Sequence, residues 1–188
     1  MRRCLLLCCC AVALSASDRA LAVAPTSPSE PPPKPARLQH GSIEVERNYH
    51  LRDVADWHFA SGRYREALNA YSRHQAFGRC GNGVFGSVDH RTSRIALCHA
   101  HLRQHFVAAY VCFDGAQNWM GYHATAHFLI QLYREAGQLN DLPGVMVGRC
   151  EPRFVGYLLR EEQRGAIPPW PEGVPKPPKG SLPKALPR

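Results

Sequence analysis

Histidines are the residues of this sequence best suited to chemistry, and there are ten of them in 188 residues. His101 and His105 are four residues apart, as are His123 and His127, so each pair would share one face of a continuous helix. Two such pairs could supply imidazole ligands to zinc or copper. No acidic residue or cysteine stands at a matching offset. Histidine-based metal binding is therefore an alternative hypothesis, and we predict no cofactor.

The cysteines divide into two groups of four by position. The first group lies in an apolar segment at the N-terminus. Four cysteines in the remaining chain allow three complete pairings, and the sequence does not choose among them. No C-x-x-C spacing occurs, so neither a zinc ribbon nor a thioredoxin-like redox site is predicted. The second group consists of Cys80, Cys98, Cys112 and Cys150.

The motifs that nucleophilic catalysis requires are missing from the sequence. There is no G-x-S-x-G elbow. Cys98 and His99 are neighbours, but adjacent residues of a helix point about 100° apart and do not form a catalytic pair. The glycines that follow Arg79 lack the lysine and the strand of a phosphate-binding loop. We therefore predict that the protein is not an enzyme.

Helices must position all of these residues, because apolar side chains recur at helical spacing between residues 41 and 164. Glycines punctuate the pattern, as expected for short turns between helices. The first predicted helix runs from Ile43 to about Ala60, and the second begins at Tyr64. A third helix is capped by Asp89, a fourth begins after Gln104, and a fifth lies between Gly121 and Gly137. A sixth helix lies around Pro143, and a closing helix begins at Pro152.

The apolar pattern repeats with identical internal offsets in three successive units, and the interval between the first two units is the longer one. In the second helix of the first two units, a small residue that allows close helix approach precedes an aromatic residue by four positions. These pairs are Ala67 with Tyr71 and Ala109 with Phe113, followed in the third unit by Leu142 with Met146. The first helices carry the pattern at Leu51, Val54, Ala55, His58; Ser93, Ala96, Leu97, Ala100; and Ala126, Leu129, Ile130, Tyr133.

This pattern resembles the tetratricopeptide repeat (TPR) family, whose repeating unit is a helical hairpin. The segment from Ser61 to Leu68 is the most similar part, and the resemblance covers roughly residues 45–147. It implies an all-α fold: an antiparallel helix-hairpin solenoid of about three TPR-like units with a C-terminal capping helix. The alternative is an ordinary bundle of six or seven helices.

The resemblance also implies a binding surface, because the first helices of TPR units line a groove in which peptides lie. Cations outnumber the one acidic residue in this groove, so we expect an acidic or carboxylate-ended partner. The alternative is a merely solvated face. The groove-facing residues would be Tyr49, Arg52, Asp56, Phe59, Arg94, His101, His127, Gln131 and Arg134, together with Cys98 and, at the rim, Arg91.

The two ends of the chain differ from its centre in composition. Residues 1–22 combine a basic start, an apolar run from Cys4 to Ala16 and a small-x-small site at Ala20 to Ala22, which is typical of a secretory signal. The run is too short to span a bilayer, so we predict export, periplasmic or secreted, with no membrane span in the mature chain. An uncleaved anchor and a lipid-modified cysteine are the alternatives. We predict a Pro-rich linker over 23–40, the helical domain over 41–164, and a disordered or polyproline-like Pro/Lys-rich tail over 165–188.

The net charge of +8 lies mostly in these ends, and residues 41–164 carry only about +2. A nucleic-acid partner, which requires a concentrated basic face, is therefore not predicted. We hypothesise an exported, non-enzymatic protein that binds a protein or peptide through the groove. A structural or envelope-associated assembly component and a histidine-based metal-binding protein are the alternatives, and oligomerisation is compatible with so short an array.

Overall fold

The structure, a computed structural model, describes residues 30–32, 43–74, 85–116, 123–146 and 152–184. Helices account for all regular secondary structure in this part of the chain, so the all-α prediction is confirmed there. The predicted signal and most of the linker lie outside it. The helices are α1 (Ile43–Ala60), α2 (Tyr64–Arg73), α3 (Phe85–His101), α4 (His105–Ala116), α5 (His123–Glu135), α6 (Leu142–Met146) and α7 (Pro152–Gln163), with a short 3-10 helix (Leu139–Asp141) before α6.

The same left-handed turn ends α1, α3, α5 and α7. At the first of these turns, Gly62 has φ +72° and its N–H donates to Phe59 O (3.0 Å), while Arg63 N–H donates to His58 O (2.9 Å). These paired bonds satisfy the last carbonyls of the helix, as in a Schellman motif. The residues at the left-handed position are Gly62, Arg103, Gly137 and Gly165.

The three units can be aligned either on these turns or on the apolar pattern, and the two alignments differ by one residue in the second unit. Gly62 and Gly137 stand at the same offset from the start of the apolar pattern in their units, whereas Arg103 comes one position earlier in its own. In the turn register, Ala67 therefore corresponds to Ala108 instead of Ala109. Both of these alanines are fully buried, so the apolar pattern by itself could not distinguish them.

Helix packing follows the order of the chain. The hairpins α1–α2 and α3–α4 make extensive contacts, α2 packs on α3, and α4 packs on α5. In addition, α3 packs directly on α5, two helices further along the chain. Each described helix from α1 to α5 therefore packs against the helix that precedes or follows it in the chain.

Two apolar clusters stabilise this arrangement. The larger cluster joins α3 to α7 and includes the fully buried Phe113, Leu129 and Tyr133. The smaller cluster lies between α1, α2 and α3. Ala67 and Ala109 are both 0% exposed, which confirms their predicted burial.

Asp89 caps a helix, but not the one that was predicted. It lies inside α3, which begins at Phe85. Its carboxylate accepts the backbone N–H groups of Ala124 and Thr125 (2.9 Å each) and the hydroxyl of Thr125 (2.6 Å). Asp89 therefore supplies the first turn of α5 with acceptors across the α3–α5 contact, a function usually filled by a residue of the capped helix itself.

The prediction of a disordered tail is wrong for residues 165–184, which pack against the helical domain. Ile167, Val174 and Leu182 bury their side chains in the larger core cluster. Gly180 N–H donates to Ala136 O (3.0 Å) at the end of α5. Prolines prevent this segment from forming a helix, but they do not prevent an extended segment from burying the apolar residues between them.

The described cysteines are free thiols. Cys98 and Cys112 are both buried, and burial raises the pKa of Cys98 to about 12. A thiol in this state is a poor nucleophile. Cys80 and Cys150 lie outside the described residues. No helix in the described part of the chain combines the length and the apolar character needed to cross a bilayer.

Candidate functional site

Five of the predicted groove residues lie together on α1 and α3, and we call this surface the α1–α3 face. The guanidinium of Arg94 lies 4.5 Å from the centroid of the Phe59 ring. Cation–π contacts of this kind hold an arginine in place without neutralising its charge. The members of the α1–α3 face are Arg52, Asp56, Phe59, Arg94 and His101.

Aromatic rings form the end of this face nearest the α1–α2 turn. The ring of His101, the last residue of α3, stacks on Tyr64 with centroids 3.8 Å apart and an interplanar angle of 9°. Phe59 packs edge-on against both, at 5.6 Å from Tyr64 and 5.8 Å from His101. Burial lowers the pKa of His101, so its ring favours the neutral state.

Asp56 forms the centre of a hydrogen-bond network that joins α1, α2 and α3. Its carboxylate accepts the hydroxyl of Tyr71 and lies 3.0 Å from Nε2 of His90. Burial alone would raise the pKa of Asp56, but these two hydrogen bonds and the charges of His90 and Arg94 outweigh it and lower the pKa. Asp56 is therefore a structural anion with its partners in place.

The opposite end of the face is open to solvent. The guanidinium of Arg52 lies 5.1 Å from the centroid of the Tyr49 ring and 3.2 Å from a carboxylate oxygen of its neighbour Asp53. Tyr49 is 40% exposed. An exposed pair such as Arg52 with Asp53 contributes little to stability, so Arg52 can exchange it for another anion at little cost.

On α5, the predicted groove residues bind the chain's own tail. Gln131 Nε2 donates to the carbonyls of Pro168 (2.9 Å) and Pro169 (2.8 Å). Arg134 donates to Pro168 O (2.9 Å) and pairs with Glu162 of α7 (3.1 Å). No backbone N–H of the described tail donates to the carbonyls of Pro168 and Pro169, so these side chains satisfy the backbone of an extended segment.

The tail continues across the ends of α5 and α4. The ring of Trp170 stacks on Phe128 at 5.6 Å, and His105 Nε2 donates to Pro175 O (2.8 Å). Lys176 pairs with Glu135 at 2.8 Å. A shallow cleft of about 790 Å³ lies between the tail and α5, lined in part by these charged groups.

The structure does not place all three predicted arginines in one set of contacts. Arg52 and Arg94 belong to the α1–α3 face, whereas Arg134 contacts Glu162 and the tail. His127 is half-buried on α5.

The helical premise of the metal alternative is wrong for one pair of histidines. His101 ends α3 and His105 begins α4, so a turn separates them. The side chain of His123 lies outside the description. Within the described ranges, no group of three or more His, Cys, Asp or Glu side chains could hold a metal ion.

Sequence reasoning missed the residues of α2 and α3 that hold Asp56 in the α1–α3 face, and the apolar residues by which the tail packs on the helical domain. Tyr71 was predicted as a packing residue, and its hydroxyl bond to Asp56 has no signal in the apolar pattern. His90 lies outside the repeated positions. In the tail, the spacing of Ile167, Val174 and Leu182 among prolines was a usable signal, since a disordered segment has no reason to carry them.

A functional conclusion for this chain rests on the geometry of its own side chains and not on similarity to known proteins. No protein-family model, curated protein or solved structure matches this chain.

Proposed function

We propose that this chain is an exported, non-enzymatic TPR-like helical-repeat protein that binds an extended, acidic segment of a protein or peptide partner through the α1–α3 face. The observation that carries the proposal is the way in which the tail binds to α5. There, Gln131 and Arg134 hold the carbonyls of an extended proline-rich segment. The corresponding surface of the first units would hold a second extended segment, with Arg52 and Arg94 as the donors in place of Gln131 and Arg134.

The repeat supports this transfer from one unit to another. Gln131 and Arg134 occupy the positions of the third unit that correspond to Asp56 and Phe59 of the first, in both the apolar and the turn register. The hairpin contacts and the α3–α5 contact are those expected where successive hairpins stack. A TPR-like solenoid is the arrangement we propose for these helices.

The charges on the α1–α3 face determine the kind of partner that it can bind. Arg52 and Arg94 face the surface of α1 and α3, and the one carboxylate between them, Asp56, is already bound by Tyr71 and His90. Acidic groups of the partner can therefore pair with these arginines. Charge-assisted contacts contribute about 1.5–3 kcal/mol each when shielded from water and less when exposed.

The test measures binding of synthetic extended peptides to the purified mature chain. We use three peptides of equal length and proline content that are acidic, neutral or basic. We expect the acidic peptide to bind best, and its affinity to fall with salt. Arg94→Gln should weaken that binding by about tenfold or more, the factor for a loss of ~1.4 kcal/mol.

Two matched controls remove the same charge elsewhere. Arg65→Gln alters an exposed residue of α2, and Lys179→Gln alters the tail. Neither should weaken binding as Arg94→Gln does. A larger effect of Lys179→Gln would assign partner binding to the tail, and equal binding of all three peptides would refute the charge argument.

The exported location rests on the pattern of residues 1–22. We propose that cleavage after Ala22 leaves a mature protein that begins at about Val23. N-terminal sequencing of the protein from its native host checks this, and retention of Met1 would contradict it.

An exposed apolar strip on α4 favours a second candidate function, as a component of a larger assembly. Phe106 is 51% exposed and Tyr110 is 44% exposed, one turn apart, with Val107 beside them. Contiguous exposed apolar residues often mark a protein contact. Sedimentation of the wild type and of Phe106→Ser over a range of concentrations tests this function. Self-association lost in the variant would support it, and a monomer at all concentrations would argue against self-assembly.

A further inference from the structure

The tail shows how this fold holds an extended segment at two points. Arg134 of α5 donates to the carbonyl of Pro168 (2.9 Å). Two residues further along the tail, the ring of Trp170 stacks on Phe128 of α5, with centroids 5.6 Å apart and an interplanar angle of 27°. An arginine of the helix thus binds an acceptor of the segment, and a ring of the same helix binds an aromatic side chain two residues away.

The α1–α3 face contains the same two kinds of group side by side. The guanidinium of Arg94 lies 4.5 Å from the centroid of the Phe59 ring. That ring is 5.6 Å from the ring of Tyr64 and 5.8 Å from the ring of His101. We call the rings of Phe59, Tyr64 and His101 the aromatic cluster, and Arg94 lies directly beside it.

Arg94 has hydrogen-bond donors available for a ligand. Its side chain is half-buried, and in the described ranges its one direct contact with a charged or aromatic group is the Phe59 ring. The carboxylate of Asp56 is bound by Tyr71 and His90 instead. A guanidinium carries five N–H donors in a planar fork that matches a carboxylate, so Arg94 can bind an acidic side chain without first giving up an ion pair.

The aromatic cluster also has surface available for a ligand. Tyr64 and His101 stack on each other with an interplanar angle of 9°, so each covers one face of the other ring. All three side chains of the cluster are half-buried, and therefore part of each is in contact with solvent. Aromatic rings attract a further ring in an offset-stacked or edge-on arrangement, as Phe128 does with Trp170 of the tail.

We propose that the segment bound by the α1–α3 face carries an aromatic residue two positions from an acidic residue. Arg94 binds the acidic side chain, and the aromatic cluster binds the ring. Side chains two residues apart in an extended segment point to the same side and are about 7 Å apart, a spacing comparable with the distances that link Arg94 to the cluster. The inference rests on the proposed function of this face, and it adds the residue type that decides which acidic segments bind.

The experiment measures the affinity of the purified protein for four synthetic peptides by titration calorimetry at pH 7. The first has the core Phe-Pro-Asp-Pro-Phe, which places a ring two residues from the acid in either chain direction. The others replace both Phe by Leu, Asp by Asn, or all three residues. We expect each Phe peptide to bind at least threefold more tightly than its Leu counterpart, and each Asp peptide to bind more tightly than its Asn counterpart.

Variants assign the two preferences to separate side chains. His101→Ala should reduce the preference for Phe over Leu and retain the preference for Asp over Asn, whereas Arg94→Gln should do the opposite. His99→Ala is the matched control, because it removes an imidazole from the same turn of α3 whose ring is bonded to Gln104 (2.7 Å). It should change neither preference. Each preference is a ratio measured within one variant, so a general loss of affinity does not alter it.

The outcomes separate this inference from the function on which it rests. Equal affinities of the Phe and Leu peptides, with the preference for Asp intact, would overturn the inference alone. A preference for Phe that survives both His101→Ala and Tyr64→Leu would overturn the assignment to the aromatic cluster. Absence of any preference for Asp would overturn the proposed function of the face together with the inference.

Discussion

The docking of the tail predicts that Leu182→Ala will release it from α5. Leu182 is 4% exposed within the larger core cluster. Its N–H donates to Oε1 of Gln138 (2.8 Å), and Nε2 of the same glutamine donates to its carbonyl (3.0 Å). Alanine retains this backbone clamp, so the substitution tests the contribution of the side chain alone.

The expected cost is about 2 kcal/mol, at the low end for a buried leucine, because a segment at the edge of a core can partly fill the space left behind. A change of that size increases the fraction of molecules with an open tail about 30-fold. The domain need not unfold when the tail opens, so the melting temperature is an insensitive measure of this change.

Hydrogen exchange of individual amides measures the opening directly. The amides of Gly180 and Leu182 are bonded to Ala136 O and to Gln138, and both should exchange about 30-fold faster in Leu182→Ala. Ser181→Ala, at an exposed neighbouring position, should leave the rates unchanged. Unprotected exchange at Gly180 and Leu182 in the wild type, or identical rates in Leu182→Ala, would refute the docked tail.

Three further predictions concern the helical domain. Ala67→Phe should overpack the α1–α2 contact and cost about 1–3 kcal/mol; an unchanged melting curve would count against close packing there. Asp89→Ala should cost about 1–2 kcal/mol through loss of the α5 cap, whereas Asp114→Ala at an exposed position should not alter denaturant unfolding. Burial lowers the pKa of His74 and His101, so the unfolded chain takes up protons at these residues more readily than the folded protein does. The free energy of unfolding is therefore highest above about pH 6.5 and decreases as the pH falls through the folded pKa values of the two rings. His101→Phe should therefore reduce the loss of stability between pH 7 and 5, and an unaltered pH profile would contradict this reasoning.

The helices were predictable because their ends depend on local chemistry. Helix α1 begins and ends at its predicted positions and α2 begins at its predicted residue, since Gly62 provides the left-handed residue between them. Arg103 occupies the equivalent position after α3 with φ 60°, and no sequence rule predicts an arginine there. The capping of α5 by Asp89 was equally hidden, because it depends on contact between helices that are distant in the sequence.

The tail was mispredicted for a different reason. Proline content describes what a segment cannot form by itself, namely a helix or a central strand. Whether that segment is ordered depends on the surface available to it. Here α5 offers Gln131, Arg134 and Tyr133 as donors to the carbonyls of Pro168, Pro169 and Pro183. Gln131 and Arg134 were both predicted to line the groove, but the extended segment that they bind was expected to belong to a partner and not to this chain.

The location of the tail limits where a partner can bind. To reach Gln131 and Arg134, a partner would have to displace a segment that buries Ile167, Val174 and Leu182. Exposing three such side chains costs several kcal/mol, at about 1.5–3 kcal/mol each. A contact with Arg134 would return at most about 1.5–3 kcal/mol, and it would also break the pair of that arginine with Glu162. The exchange is unfavourable, so we expect a partner to bind on α1 and α3 while the tail continues to cover α5.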